Sequence, residues 1–377
     1  MQQDDIRFSI HGRAGLVLID RPKALNALSY DMAVALRAQL GLWGEDDAVS
    51  HVVMAGSEPR AFCAGGDIRD LYNMAVAGEH DRIAVCFRAE YMAHMAVCEF
   101  PKPLVSLSDG IVMGGGAGLM QAGSHAIVSD TTRFAMPESA IGLYPDAGAS
   151  VFIGRCPRSL ALYLGMTGKI IGAADCLMLG LANAMVPSAD VTALKDALLA
   201  CSADEIDDVV TRYRSDPGPA PLQAGRTEID YIFAGYDLVV IRDRAGDMAR
   251  LKESRLAEEV HTALTTRCPM TSHVFMRLID GDHGITDMPS ALMLDYHLAM
   301  RMTRRTDFIE GVRAVIIEKS NDAVWQPARL EDVTSQDVDE VFDRSGLPAL
   351  RSCRRGLTPP LHRNAPHRRL ALQSTSL

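Results

Sequence analysis

Two acids stand eight residues apart, Glu138 and Asp146, in the stretch Phe134-Ala135-Met136-Pro137-Glu138-Ser139-Ala140-Ile141-Gly142-Leu143-Tyr144-Pro145-Asp146-Ala147-Gly148. Their neighbours are apolar, glycine or proline. A carboxylate in such surroundings loses hydration, and its pKa rises toward the range useful for acid–base work. Taken singly, each acid has a plainer reading. Glu138 follows Pro137 as a first-turn helix residue would, and Asp146 follows Pro145 as a turn residue would. Two glycine-bearing segments add a second kind of chemistry. They are Ala61-Phe62-Cys63-Ala64-Gly65-Gly66-Asp67-Ile68 and Gly110-Ile111-Val112-Met113-Gly114-Gly115-Gly116-Ala117-Gly118. Each follows an expected strand and leads into an expected helix. Peptide N–H groups at a helix start have no partner inside the helix. Two such turns brought together would supply a pair of donors to a developing oxyanion, and glycine lets a planar carbonyl approach the backbone. Alone, a glycine turn more often serves tight packing.

Other chemistries lack their motifs. The cluster Gly114-Gly115-Gly116-Ala117-Gly118 fits no register of Gly-x-Gly-x-x-Gly, because Leu119 stands where the last glycine belongs. Gly168-Lys169 runs into Ile170, and Tyr163 occupies the first glycine position of a P-loop. There is no Gly-x-Ser-x-Gly and no His-Glu-x-x-His. The histidines show no ligand spacing. Cys63 lies inside the first glycine turn but has no histidine near it in sequence, which argues against a nucleophile.

The elements that must position these groups form two halves. Strands are expected at 6–10 and 15–20, joined by a hairpin through His11-Gly12-Arg13-Ala14. Residues 21–28 form an irregular link, and Ser29 is placed to cap a helix over 31–43. Strands follow at 51–55, 103–107 and 126–129, with helices starting at Asp67 and spanning 81–98. This alternation indicates an α/β fold. Beyond about residue 187 the period becomes helical, with helices expected at 191–200, 205–214, 227–233, 243–265, 271–278, 290–304 and 307–316. The organisation expected is therefore a core over residues 1–190, a helical region over 191–346, and a tail over 347–377.

Composition narrows the classes further. The 377 residues are 48% hydrophobic and 23% charged, as in an ordinary globular chain. The net charge is −10, yet residues 351–377 hold six arginines and no acid, which leaves −16 for residues 1–350. So acidic a body argues against nucleic-acid binding. The tail reads as disordered by composition. No apolar run reaches the roughly 18 residues that span a bilayer. The first twenty residues lack a basic stretch followed by an apolar one, so no signal or transit peptide is expected. Eight cysteines, none in a Cys-x-x-Cys pair, read as free thiols in a reducing cytoplasm.

Together, the two glycine turns and the paired acids resemble the crotonase (enoyl-CoA hydratase/isomerase) superfamily, and within it the 3-hydroxyisobutyryl-CoA hydrolase branch. The resemblance is strongest over residues 6–190. It continues more weakly through Asp307-Phe308-Ile309-Glu310-Gly311-Val312-Arg313-Ala314 to Trp325-Gln326-Pro327. It implies a spiral of ββα turns with two roughly perpendicular sheets, and later helices that wall the acyl pocket. Alternation by itself leaves a doubly wound sheet open. Hydratases of the superfamily set two glutamates about a water, and the equivalents here are Gly118 and Glu138. The hydrolase branch instead pairs Glu138 with Asp146 and adds a glutamate on the preceding helix, here Glu90 in Phe87-Arg88-Ala89-Glu90-Tyr91.

What the resemblance implies is release of coenzyme A from a short, branched 3-hydroxyacyl thioester, a step that fits valine breakdown. The Gly66 and Gly115 N–H groups would bind the thioester oxygen. Glu138 would attack the carbonyl or activate a water. Asp146 would hold the 3-hydroxyl or the water, and Glu90 would orient the substrate hydroxyl or Asp146. Coenzyme A would lie along Lys23-Ala24-Leu25 and the turn Ala64, Gly65, Gly66, Asp67, Ile68, with Lys23 near its phosphates. No metal and no cofactor beyond the substrate's own coenzyme A is expected, and no nucleic-acid or membrane partner. A homo-oligomer is left open. The rival readings are a hydratase or isomerase working with one glutamate, and an acyl-CoA-binding protein without catalysis.

Overall fold

The computed structural model describes residues 5–281, 283–346 and 350. Among the described residues, nine strands divide between two sheets. The larger has the order β1 (Ile6–His11), β2 (Ala14–Ile19), β3 (His51–Gly56), β5 (Leu104–Ser108), β7 (His125–Ser129), β9 (Ala184–Val186). The smaller has β4 (Ala61–Cys63), β6 (Ile111–Met113) and β8 (Arg133–Ala135). From β3 onward the chain visits the sheets in turn, and every pairing except β1 with β2 is parallel. A doubly wound single sheet is therefore excluded, and the architecture is the expected spiral of ββα turns. Three-residue strands are too short to show alternation, so β4 and β6 are hidden in the sequence inside the glycine segments and β8 at the start of the acid-bearing stretch.

Local chemistry accounts for the helix starts near the site. In α1 (Tyr30–Glu45) the Ser29 hydroxyl accepts from the Met32 N–H. In α2 (Ile68–Val76) the Asp67 carboxylate accepts from the Asp70 N–H. The long α3 (His80–Cys98) and the short α4 (Gly115–Ala122) follow. β3 is buried on both faces, as a central parallel strand is. Its Val52 and Met54 join the main core, while Val53 and Ala55 join a second cluster on the opposite face.

The helical region divides accordingly. Its first two helices, Val191–Ala200 and Ile206–Tyr213, pack on that opposite face through Leu194, Leu198, Ile206 and Val209. The later ones share the main core with residues of the α/β half. The single helix expected over 243–265 is two, Leu238–Lys252 and Arg255–Thr266. Glu253 breaks it at φ +51°, and the Ser254 hydroxyl caps the second by accepting from the Ala257 N–H. The helix expected over 307–316 ends as Thr306–Val312 and widens into a π-helical turn, Arg313–Ile317. No described helix is long and apolar enough to cross a membrane. The basic tail expected over 347–377 lies outside the described residues, apart from the buried Leu350.

One contact ties the helical region to the acid-bearing stretch. Gly142 has φ +69°, and a Cβ there would lie 2.3 Å from the Asp307 carbonyl oxygen. A Cβ on Gly311 would lie 2.7 Å from the Ile141 Cα. The late segment that carries the weaker resemblance therefore sits directly against the turn after Glu138. Gly142→Ala should combine left-handed strain with overpacking and cost about 2–4 kcal/mol of folding stability, read from urea denaturation midpoints.

Candidate active site

The two glycine turns meet. A Cβ on Gly65 would lie 3.3 Å from the Gly115 nitrogen, and one on Gly115 would lie 3.6 Å from the Gly66 nitrogen. Parallel pairing of β4 with β6 sets this register, because each turn follows its strand. Gly115 is the first residue of α4, so its N–H has no acceptor within the helix. Gly114, at φ +54°, faces Glu138, whose Oε1 would lie 2.8 Å from a Cβ there. Larger side chains at 65, 114 or 115 would close the space between the turns.

A cavity of about 170 Å³ opens at this junction. Gly65, Gly66, Gly115, Glu90, Glu138 and Asp146 all line it, and so do Ala64 and Ile68. The three acids come from three different elements. Glu90 is on α3, Glu138 opens the short 3-10 helix Glu138–Ile141, and Asp146 sits in the loop beyond it. Glu138 and Asp146 are each 6% exposed. The Glu138 Oε2 is buried without a hydrogen-bond partner, an unusual state for a carboxylate. The Tyr91 hydroxyl donates to Asp146 Oδ2 at 2.5 Å. Glu90 lies beneath both turns, so that a Cβ on Gly66 would lie 2.7 Å from its Oε2.

Burial sets the electrostatics. It raises the Glu138 pKa well above the ordinary carboxylate value, and the charge of Asp146 adds to the rise. It pushes Glu90 up to about 8, again with help from Asp146. Asp146 rises to about 6, also by burial, with the Tyr91 hydrogen bond pulling the other way. Asp146 thus ionises first and makes each further negative charge in the cavity harder to form. Nearby, Arg267 donates to the Ser139 hydroxyl at 2.9 Å, which places a cation behind Glu138. His94 lies between the carbonyl oxygens of Glu90 (2.8 Å) and Gly115 (2.7 Å). Burial keeps its pKa below the usual histidine value, and as a neutral ring it donates to one of them. Burial also pushes the Cys63 thiol up to about 12, so at neutral pH it is protonated.

Four of the candidate positions lie beside the cavity and do not line it. Lys23 is exposed on a short 3-10 turn, Pro22–Ala24. The link 21–28 is stitched to the first glycine turn by backbone bonds. The Ala64 N–H donates to the Leu25 carbonyl at 3.1 Å, and the Leu28 N–H donates to that of Gly65 at 2.7 Å. Lys23, Ala24 and Leu25 therefore flank the turn's outer side. Asp67 caps α2 and pairs with Arg21 at 2.6 Å, so its carboxylate is already engaged.

Other groups at the site left no local signal. Tyr91 reaches Asp146 across 55 residues of sequence, and Val315 and Ile316 of the π-helical turn line the cavity from the far end of the chain. Arg69 on α2 donates to the Ile316 carbonyl at 3.0 Å and holds that wall in place. Gly118 is closed to any side chain, since a Cβ would lie 2.7 Å from the Ala147 Cβ and 2.9 Å from His94 Cδ2.

Known proteins resemble the chain over nearly its whole length. The enoyl-CoA hydratase/isomerase family model matches residues 14–342. A 3-hydroxyisobutyryl-CoA hydrolase of Xenopus tropicalis, described as mitochondrial, is 36% identical over 344 residues, which cover 89% of this chain and 88% of that protein. A probable 3-hydroxyisobutyryl-CoA hydrolase of Arabidopsis thaliana is 34% identical over 348 residues, 87% and 89% of the two chains. Among solved structures, a carnitinyl-CoA dehydratase from Mycobacterium thermoresistibile superimposes with a TM-score of 0.85 at 31% identity, covering 93% of this chain and 99% of its own. An enoyl-CoA hydratase from Rhodobacter sphaeroides 2.4.1 does so at 0.83 and 34%, covering 92% and 100%. Because these matches run through the helical region as well as the α/β core, the chain as a whole belongs to the enoyl-CoA hydratase/isomerase family, on its 3-hydroxyisobutyryl-CoA hydrolase branch.

Proposed function

We propose that the protein hydrolyses a short-chain 3-hydroxyacyl-CoA thioester, 3-hydroxyisobutyryl-CoA in particular, to free coenzyme A and the hydroxy acid. The observation that carries this reading is the single cavity in which Gly66 and Gly115 meet beside Glu138 and Asp146. The N–H groups of Gly66 and Gly115 bind the thioester oxygen and stabilise it as negative charge builds. A donor of this kind contributes roughly 3–4 kcal/mol to the transition state. The unpartnered Oε2 of Glu138 serves at the carbonyl carbon. It either attacks there and expels the coenzyme A thiolate, giving a mixed anhydride that water then opens, or takes a proton from a water whose oxygen attacks and breaks the same carbon–sulfur bond. Asp146, oriented by Tyr91, holds the 3-hydroxyl or the water, and Glu90 sets the substrate hydroxyl against it. Coenzyme A extends outward past Ala64 and Ile68 toward Lys23. A cavity of about 170 Å³ accommodates a short acyl group and not the coenzyme.

The names of the solved neighbours point to a second chemistry, water addition to or elimination from an acyl chain. Gly118 weighs against it. That position corresponds to the other glutamate in the resemblance to hydratases, and Ala147 and His94 fill the space a side chain would need. As to compartment, the seven described cysteines are free thiols, which suits reducing surroundings such as the cytoplasm. The Xenopus relative is described as mitochondrial.

Thiol release is the direct assay. The protein should free coenzyme A from 3-hydroxyisobutyryl-CoA and fail to hydrate an unsaturated enoyl-CoA measured side by side. Asp146→Asn should slow thiol release by about 10²-fold or more. Near-normal hydrolysis by that variant would remove Asp146 from the mechanism.

The pH profile follows from the buried acids. Both routes need Glu138 ionised, and a raised pKa carries the inactive, protonated form to higher pH. With Asp146 ionising near about 6 and Glu138 above the ordinary range, kcat should still be rising at pH 6. Unperturbed carboxylates would have levelled off by about pH 5.5.

The same burial has a stability cost with a definite sign. Glu90 titrates near about 8 folded against 4.5 ordinarily, so its contribution is fully present below pH 4.5 and lost as pH rises toward about 8. Glu90→Gln should therefore match the parent's Tm near pH 4 and exceed it at pH 8, while thiol release falls. Equal Tm differences at the two pH values would show that Glu90 is not held in the protonated form.

A further inference from the structure

Asp146 belongs to a loop whose backbone is strained directly after it. Ala147 has φ +52° and Gly148 has φ +85°, two successive residues in left-handed conformations. A non-glycine residue there costs roughly 1–2 kcal/mol, so something must hold the loop. One residue of the helical region does so from both sides. Asp295, on the helix Met288–Met302, is 1% exposed. Its Oδ2 accepts from the Gly148 N–H at 2.8 Å. Its main-chain carbonyl accepts from the Tyr144 hydroxyl at 2.9 Å, and the same hydroxyl oxygen stands 3.4 Å from its Oδ1. Tyr144 and Gly148 bracket Asp146 by two residues on either side. The helix also closes over the loop, since a Cβ on Gly148 would lie 2.0 Å from the Met288 sulfur.

Proton accounting decides the charge of this acid. The Tyr144 proton is already given to the Asp295 carbonyl. A proton on Asp295 Oδ1 then has the Tyr144 oxygen as its acceptor, and Oδ2 stays free to accept from Gly148. Every donor and acceptor is used and no charge is buried. An ionised Asp295 would leave Oδ1 without a donor and place a second negative charge beside Asp146. The titratable groups that face it are Asp146 and Tyr144 from the loop and Tyr91 from α3, and none of them is cationic. Burial and the Asp146 charge both favour the protonated acid.

We propose that Asp295 is a positioning residue of this site, which as a neutral acid pins residues 144 and 148 and so aims the Asp146 carboxylate into the cavity. The proposal rests on the role given to Asp146 above, and it extends the site into a helix that contributes nothing to the cavity lining. Asparagine is the discriminating replacement, because its amide supplies a donor toward Tyr144 and an acceptor for Gly148 without charge.

The test measures kcat, KM and the pH–rate profile for thiol release from 3-hydroxyisobutyryl-CoA in the full-length chain, with Tm recorded alongside. Asp295→Asn should keep kcat within about threefold of the parent, with the acid limb of the profile unmoved. Asp295→Ala should lower kcat by at least about thirtyfold with KM changed less than threefold, since the loop loses aim and the cavity keeps its shape. Tyr144→Phe, which preserves packing and removes one of the pins, should fall between the two, and it stands in if the alanine variant does not fold. A downward shift of the acid limb in Asp295→Asn overturns the neutral acid. Equal losses in the asparagine and alanine variants, or full kcat in Asp295→Ala or Tyr144→Phe, overturn the positioning role. The hydrolase reading itself stands or falls on thiol release by the parent protein, and the role of Asp146 on Asp146→Asn, whatever these variants do.

Discussion

The closest approach in the molecule that matters to chemistry is between two pieces of backbone. The Gly65–Gly66 and Gly114–Gly115 turns face each other so closely that a Cβ on Gly65 would lie 3.3 Å from the Gly115 nitrogen, while a Cβ on Gly66 or Gly115 would strike the Glu90 carboxylate. That approach requires β4 and β6 to lie side by side, and they do because the chain alternates between two sheets from β3 onward. The spiral topology is therefore a device for setting two strand-to-helix turns next to one another. In the proposed mechanism, peptide groups placed this way would be aligned before substrate arrives, and little reorganisation would accompany the build-up of charge on the thioester oxygen. His94 reinforces the arrangement by standing 2.7 Å from the Gly115 carbonyl oxygen.

Around this junction the protein gathers negative charge where charge is least welcome. Glu90, Glu138, Asp146 and Asp295 are all raised in pKa, and burial is the leading cause each time. A purely structural core would not assemble four acids with so little compensation; Arg267 behind Ser139 is the cation that bears on Glu138. Local instability of this kind is characteristic of sites where protons are moved. The fold tolerates it because a continuous apolar core surrounds the cluster and joins the α/β half to the later helices.

Those helices are part of the site and not an appendage to it. Residues 306–317 press on the turn after Glu138 and add Val315 and Ile316 to the cavity wall. The helix Met288–Met302 holds the Asp146 loop through Asp295. By contrast, the helices from 191 to 213 cover the far face of the large sheet. Residues on both sides of position 190 therefore build the cavity.

How much of this was legible in the chain itself varies with the range of the interaction. The hairpin at Gly12, the Ser29 and Asp67 caps, the buried strand at 51–56 and most helices depend on neighbours within a few residues, and periodicity reveals them. The glycine turns and the acids at 138 and 146 were visible as a pattern, and the family resemblance joined them and added Glu90. The split at Glu253 was not, because a one-residue left-handed break leaves the apolar period on either side almost intact. Nor were β4, β6 and β8, three residues each and meaningful only as partners. Tyr91, Tyr144 and Asp295 look in sequence like ordinary helix and loop residues. Their roles come from hydrogen bonds across 55 and 151 positions, and such contacts carry no local spacing. Residue order thus determined which groups could do the chemistry and which segments would be strand or helix. Only tertiary packing decided where the acids point and how little water reaches them, because direction and desolvation are properties of the surroundings that distant parts of the chain supply.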